Sequence, residues 1–338
     1  MPAKIIFEHL SNDKDVIIST DRRGLKYLDK SIHQFELIDT PKLNNLLFLP
    51  INLVKILLLT FKSFLLLKRK KIGQIFSTGG YMSLPIILAA RLLKLNIYLL
   101  EPNQVLGRSN RYFLRSCKKI FCYSKRIKNF PDEFKDKIII INPLVKKNIY
   151  SLKKPVKIND KFTLLIVGGS QGASIFDGSL KKSIVNISKK YPIKIIHQTE
   201  EKNIHLLTDF YSKNHIDNKI FNFDKDFVQY ILEADLCVTR AGASTLAELS
   251  VMKTPFIAVP LPTSKDNHQM ENANFYKESD SCWIIEQNNF EEKIEEFLID
   301  ILNNKSDYLN KKENLKKLNY QNTWINVNQK ILNIINEN

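Results

Sequence analysis

Residues 239–248, Thr-Arg-Ala-Gly-Ala-Ser-Thr-Leu-Ala-Glu, decide how this chain folds. The apolar run Leu236-Cys-Val238 leads into them, and an apolar periodic stretch with a glutamate one turn in follows the small residues. That order reads as strand, tight loop, helix N-terminus. Small residues let a ligand approach the backbone. The first N–H groups of the helix, together with its dipole, attract an anion. Glu248 stands where its carboxylate can accept hydrogen bonds from neutral hydroxyls such as a ribose diol. The same ten residues also fit an ordinary strand–helix turn with a surface glutamate.

Working outward, short segments rich in Ile, Leu and Val recur at 15–19, 34–37, 75–77, 97–100, 119–122 and 138–141. A second series follows at 162–167, 193–197, 219–221, 236–239, 256–259 and 282–285. They have the character of buried parallel strands. Helical patterns lie between them, at 84–93, 227–233, 244–252 and 267–278. The fold class is therefore α/β, with two successive doubly wound, Rossmann-like domains. The first spans 1–150 and the second 151–305, with the polar stretch 151–160 around Pro155 as linker. Residues 306–338 keep Leu309, Leu315, Leu318, Trp324, Ile325, Ile331 and Ile335, a pattern of terminal helices packing back on the body.

The chain has 338 residues, 44% hydrophobic and 25% charged, ordinary for a globular protein with two cores. Cys117, Cys122, Cys237 and Cys282 form no CxxC pair and no His cluster accompanies them, so no metal site is expected and a reducing compartment fits. The first ten residues lack the apolar core of a signal peptide. The net charge of +16 is one-sided: residues 1–150 hold 27 Lys+Arg against 11 Asp+Glu, and residues 151–338 hold 24 of each. The first half thus calls for an anionic partner: nucleic acid, anionic lipid or a phosphorylated substrate. Aromatic–basic interleaving and known nucleic-acid motifs are absent, so nucleic acid is not expected. An AT-rich genome also raises the Lys, Ile and Asn content.

Further glycine loops sit at strand ends. Gly168-Gly-Ser-Gln-Gly172 follows the strand at 162–167, where a backbone cradle for phosphate or a plain tight turn both fit, and Ser170 adds a hydroxyl donor. Gly79 and Gly80 follow the strand at 75–77, and Asn103 follows the strand at 97–100. Asp266 or Asn267 is placed to cap the helix at 267–278. His268 and Gln269 then fall in its first turn, where the Gln269 amide suits sugar hydroxyls.

Read together and in order, Gly79-Gly-Tyr81, Glu101-Pro-Asn103, Gly168-Gly-Ser-Gln-Gly-Ala173, Thr239–Glu248 and Asp266-Asn-His-Gln269 closely resemble the MurG family of glycosyltransferase family 28. The resemblance runs from about Pro2 to Asn289 and implies a GT-B fold, two Rossmann-like domains facing across a cleft, with the last helix returning to the first domain. It implies an inverting, metal-independent and cofactor-free transfer of GlcNAc from UDP-GlcNAc to the MurNAc 4-hydroxyl of lipid I, an undecaprenyl-pyrophosphoryl-MurNAc-peptide, giving lipid II for peptidoglycan. By position, Ser170, Ala243, Ser244 and Thr245 would hold the UDP phosphates, with Leu246 and Ala247 completing the helix start. Glu248 would take the ribose, backbone near Phe223 and Asp224 the uracil, and Gln269 with His268 the GlcNAc. Asn103 would join from the first domain. The family's V-R motif aligns with Val145-Lys146, where Lys146 keeps the charge but loses the forked geometry. Gly79 and Gly80 fall on the acceptor side. Other UDP-sugar enzymes of the same fold, a glycolipid synthase or an epimerase, and a non-catalytic UDP-sugar- and membrane-binding relative are the alternatives.

The family opens with a strand and a GGTGGH loop before a P-A pair, and this sequence begins at Met1-Pro2-Ala3. The expectation is a mis-assigned start or a fragment rather than a degenerate enzyme. The first strand belongs mid-sheet, and the loop's His is the family's candidate base, so the general base stays unassigned.

Residues 43–72 are long enough for a transmembrane helix, but Pro50, Asn52, Lys55 and Lys62 argue against one. Leu57, Leu58, Phe61, Phe64 and Leu65 make a broad apolar surface, closed by Lys68, Arg69, Lys70 and Lys71. Apolar surface plus basic cluster is the two-part signal for lying on an anionic membrane. A core helix with a solvated basic end is the other reading. The resemblance favours the membrane, at the cytoplasmic face of the bacterial inner membrane, because a lipid acceptor cannot leave the bilayer.

Overall fold

The structure, a computed structural model, describes residues 2–25, 28–29, 31–41, 48–154, 161–169, 174–224 and 226–337. In chain order the elements are α1 (Pro2–Leu10), β1 (Ile18–Thr20), α2 (Arg22–Leu25), β2 (Phe35–Leu37), α3 (Leu49–Arg69), β3 (Gln74–Ser77), α4 (Leu84–Leu92), β4 (Asn96–Glu101), α5 (Arg108–Phe113), β5 (Lys119–Cys122), β6 (Ile138–Ile140) and α6 (Lys147–Ser151). They continue with β7 (Phe162–Val167), α7 (Ser174–Ser188), β8 (Ile193–Gln198), α8 (Ile204–Lys213), β9 (Asp217–Phe221), α9 (Phe227–Glu233), β10 (Leu236–Thr239), α10 (Ala243–Val251), β11 (Phe256–Ala258), α11 (His268–Glu278), β12 (Trp283–Ile284), α12 (Phe290–Asn303), α13 (Lys305–Leu318) and α14 (Trp324–Asn336). The chain forms two compact units, Met1–Lys147 with Trp324–Asn338, and Asn148–Thr323.

The second unit holds one six-stranded sheet in the order β12-β11-β10-β7-β8-β9. Every pairing is parallel. β10 is buried throughout and β7 in all but its first residue, because helices cover both faces, and both are apolar apart from Thr163 and Thr239. Phe176, Leu180, Ile184 and Ile187 of α7 and Phe290, Ile294, Leu298 and Ile301 of α12 share one core with the sheet. From β7 the chain proceeds outward to β8 and β9, then returns to β10 on the other side. The ends of β7 and β10 thus flank the point where strand order reverses, which is where open α/β sheets bind ligands.

The first unit has two parallel sheets, β1-β2 and β3-β4-β5-β6. Ile87, Leu99, Phe113 and Ile120 pack in a core on one side of the larger sheet. Ile5 and Ile6 of α1 and Val327, Ile331 and Ile335 of α14 pack with Tyr98, Leu100 and Phe121. The fourfold spacing of the three α14 residues puts them on one helical face. Gln74 Nε2 donates to Ile335 O at 2.9 Å, and the rings of His9 and Trp324 stack at 3.8 Å.

The terminal segment 306–338, read from the sequence as one group, is divided between the units. α13 stays with the second, where Lys311 pairs with Asp280 and Asp307, and Trp283 Nε1 donates to Asp307. α14 joins the first. The break falls at Lys147/Asn148 rather than after residue 150, within the short helix α6, and residues 155–160 of the expected linker lie outside the described residues.

The burial of α3 is inverted relative to an ordinary amphipathic helix. Its buried face carries Ile56, Thr60, Ser63 and Leu67, and the two hydroxyls bond within the helix, to Ile56 O and Leu59 O. Its outer face exposes Ile51, Leu53, Val54, Leu57, Leu58, Phe61 and Leu65, all between 49 and 66%. Phe64 is a correction to the sequence reading: it is half-buried against the core, with Lys68 Nζ 5.1 Å from its ring. By length and composition alone the helix suffices to cross a membrane.

Candidate functional site

In the second unit the register pairs Thr239 with Val167, so the loops that leave β10 and β7 start side by side. Arg240 N donates to Val167 O at 3.2 Å and ties the two loop bases together. Gly242 ends the first loop in extended backbone, and the first intrahelical bond of α10 runs from Leu246 N to Gly242 O. The N–H groups of Ala243, Ser244 and Thr245 therefore form the open end of the helix, and all three residues are partly exposed. Leu246 and Ala247 are buried and anchor the helix in the sheet. Glu248 is buried, not the surface glutamate of the plainer reading. On the β7 side, Gly169 takes a left-handed φ of +66°, and its N–H donates to Gln198 Oε1 at 3.2 Å. Ser170 lies outside the described residues.

Gln269 is partly exposed, and its Oε1 accepts from Leu261 N at 3.0 Å, bracing the proline loop that leads to α11. Nδ1 of His268 lies 2.8 Å from Lys265 O. Asn267 occupies the cap position of α11 with a left-handed φ of +56° and makes no side-chain cap bond. Asp224 accepts from Asp226 N at 2.8 Å and from the Tyr230 hydroxyl. Those bonds, the Tyr230 one first, hold its carboxyl below the usual range. Phe223 beside it is exposed.

Several residues the sequence reading left unassigned shape this site. Arg240 is buried, donates to Val259 O at 3.1 Å and Gln287 Oε1 at 2.6 Å, and lies 5.3 Å from the Phe176 ring. Burial lowers its pKa. Asn272, one turn beyond Gln269 on α11, is buried and donates to Ala241 O at 3.1 Å. The signal for it was an asparagine spaced three residues from a candidate sugar ligand. His197-Gln198-Thr199 closes the apolar run of β8 with three polar residues, a strand-end signature of the same kind as the glycine loops.

The first unit has its own polar cluster at strand ends. Glu101 is buried and accepts from Asn103 N at 3.2 Å, Asn103 Nδ2 at 3.0 Å, Gly107 N at 2.8 Å and Asn110 Nδ2 at 2.9 Å. Burial outweighs these bonds and raises its pKa. With its lone pairs so engaged, Glu101 is a scaffold that aims Asn103. Gly79 (φ +79°) and Gly80 (φ +85°) run close by, and a Cβ on Gly79 would meet the Asn110 amide at 3.1 Å. Ser109 Oγ donates to Gly80 O at 2.9 Å. Lys146 is half-buried in the same unit. Asn103 and Lys146 thus belong to the first unit, and the other expected donor-site residues to the second.

The glycosyltransferase family 28 N-terminal domain matches residues 1–122, and the family's C-terminal domain matches residues 163–323. A protein of Pelagibacter ubique, named UDP-N-acetylglucosamine–N-acetylmuramyl-(pentapeptide) pyrophosphoryl-undecaprenol N-acetylglucosamine transferase, is 47% identical over 340 residues, covering 100% of this chain and 96% of its own. A Rickettsia typhi protein of the same name is 34% identical over 323 residues, covering 85% and 83%. Among solved structures, Acinetobacter baumannii MurG superposes with a TM-score of 0.77 at 23% identity, over 100% of this chain and 95% of that one. A Neisseria meningitidis UDP-GlcNAc 2-epimerase does so at 0.68 and 13%, over 100% and 97%. These two share the GT-B fold. On the strength of the two domain matches and the full-length relatives, this chain is a glycosyltransferase and belongs to the MurG family within glycosyltransferase family 28.

Proposed function

We propose that this protein transfers N-acetylglucosamine from UDP-GlcNAc to the 4-hydroxyl of the MurNAc sugar of lipid I, making lipid II at the cytoplasmic face of the inner membrane. The observation that carries the reading is the meeting of two glycine-bearing loops at the sheet's switch point, with a buried glutamate one turn into the adjoining helix. The open end of α10 offers N–H groups to a diphosphate. As the glycosidic bond to UDP breaks, charge gathers on the β-phosphate, and these fixed dipoles stabilise it without reorganising. Glu248 takes the ribose hydroxyls, and the strand-end segment at Phe223 and Asp224 takes the base. Gln269 and His268 orient the sugar. Transfer with inversion follows when the acceptor hydroxyl attacks from the face opposite UDP and gives up its proton.

The outer face of α3 supports a membrane-resident acceptor. Leu57, Leu58, Phe61 and Leu65 supply apolar area, and Lys68, Arg69, Lys70 and Lys71 supply attraction to anionic headgroups. An epimerase acting on a soluble sugar nucleotide has no use for such a face.

Glu248→Ala tests the donor site. Losing charge-assisted hydrogen bonds to the ribose should cost about 3 kcal/mol, roughly a hundredfold in UDP-GlcNAc affinity by calorimetry. Unchanged affinity in the folded variant removes the ribose assignment.

A further inference from the structure

One cation at the strand ends of the first unit, Arg23, has no part in the chemistry of the donor side. Its placement begins with Asp21, the residue just past β1, which is fully buried and caps the one-turn helix α2. Asp21 Oδ1 accepts from Gly24 N at 2.8 Å, and Leu25 N donates to the Asp21 carbonyl at 3.0 Å. Asp21 Oδ2 accepts from Arg23 Nε at 2.8 Å and from Nη2 at 2.5 Å. Only glycine fits at position 24 in this turn, since a Cβ there would stand 2.1 Å from Thr20 Oγ1. The guanidinium is thereby fixed against the chain, yet the Arg23 side chain remains 53% exposed. Its neighbour Arg22 pairs instead with Asp39 at 3.3 Å.

The guanidinium carbon of Arg23 also lies 5.3 Å from the centre of the Tyr81 ring. Tyr81 directly follows Gly79 and Gly80, past the end of β3. A second link joins the chain just past β2 to the same turn, from Thr40 Oγ1 to Met82 O at 3.3 Å. The C-terminal ends of β1, β2 and β3 therefore meet at one corner, although β1 and β3 belong to different sheets. Parallel strands of α/β folds present their ligand sites at this end. Arg23 bonds through Nε and Nη2 alone, so its Nη1 makes no hydrogen bond among the described residues. The Tyr81 hydroxyl is buried and without a hydrogen-bond partner there, so it does not occupy the free donor.

We propose that Arg23 is a binding residue for the diphosphate of the acceptor, set in place by Asp21 and the Tyr81 ring. The proposal rests on the lipid I reading above. A guanidinium already held by a carboxylate and an aromatic ring has given up its rotamer freedom, so a ligand that meets it pays little for ordering it. Its planar fork matches two phosphate oxygens, and charge-assisted bonds to phosphate are strong. The surplus of cations in residues 1–150, 27 Lys+Arg against 11 Asp+Glu, favours an anion on this unit as well.

The test measures binding of inorganic pyrophosphate by calorimetry to the full-length protein saturated with UDP, so that the donor site is already filled. Thermal unfolding followed by circular dichroism reports the fold of each variant. Arg23→Gln should weaken pyrophosphate about tenfold at an unchanged unfolding midpoint, and should raise KM for lipid I about tenfold at an unchanged KM for UDP-GlcNAc. Arg23→Lys keeps the charge without the fork and should weaken pyrophosphate about threefold. If Arg23→Gln does not fold, the lysine variant carries the test. Folded variants that bind pyrophosphate like the parent overturn the assignment. So does a lowered midpoint with unchanged pyrophosphate binding, the mark of a mere tie between the two sheets. A parent protein that binds no pyrophosphate overturns it too. Pyrophosphate binding that depends on Arg23, in a protein that transfers nothing to lipid I, overturns the lipid I reading and leaves the anion site standing.

Discussion

The two units solve the same architectural problem with different surfaces. The second closes six parallel strands into one sheet covered on both faces, carries no net charge, and gathers the groups proposed for the donor at one switch point. The first divides its strands between two sheets, carries the whole positive excess, and exposes a long apolar helix face. A domain that binds a soluble nucleotide needs only a rigid crevice. A domain that meets a lipid needs a face that water alone would not favour, and here the polar residues Thr60 and Ser63 are turned inward while leucines point out.

That contrast can be broken, beginning with the largest effect. Leu236 on β10 is fully buried between helices, so Leu236→Ala should cost about 4 kcal/mol of stability in the second unit, read by denaturant unfolding. A cost under about 1 kcal/mol would mean that this sheet is not the rigid half. Replacing Lys68, Arg69, Lys70 and Lys71 with Gln should weaken sedimentation with phosphatidylglycerol vesicles by about 3 kcal/mol, more than a hundredfold, and high salt should mimic the change. Equal binding to the phosphatidylglycerol vesicles before and after would remove the membrane role from this cluster.

The first unit should also respond to acid. Burial, opposed by the Asn328 hydrogen bond and assisted by Lys147, lowers the pKa of His9 to about 4. The unfolded chain, with a histidine near 6.5, therefore takes up its proton first. Stability is full above pH 6.5 and is lost as pH falls from 6.5 toward 4, about 2 kcal/mol by pH 5. His9→Gln should flatten that slope in unfolding measured across this range. Leu57→Ser, on the exposed α3 face, should shift stability by less than about 0.5 kcal/mol while reducing vesicle binding; a large loss of stability would place Leu57 in the core instead.

Much of this was legible in the sequence because buried parallel strands are short and uniformly apolar. Phe162–Val167, Leu236–Thr239 and Lys119–Cys122 are strands at the bounds their composition indicated. Glu248 and Gln269 were recognisable by offset from a helix start. Less visible were residues whose importance depends on partners distant in sequence. Arg23 and Tyr81 follow strands of different sheets and meet only in the folded unit. Phe64 looked like its exposed neighbours on α3 because periodicity does not say which side of a broad apolar surface meets α4. The segment 306–338 read as terminal helices packing on the body; the family resemblance sent the last of them to the first domain, but nothing in the sequence kept α13 with the second unit.

The sequence by itself determined the class of fold, the order of the elements, the family and the position of the glycine loops proposed for the donor, since each depends on local pattern or motif spacing. Only the tertiary structure decided that Glu248 is buried, that Glu101 is a scaffold for Asn103, that α13 stays with the second unit, and that α3 turns its leucines outward. The physical reason is that burial and partner choice are properties of packed surfaces, fixed by which strands lie side by side, and a one-dimensional pattern does not contain that adjacency.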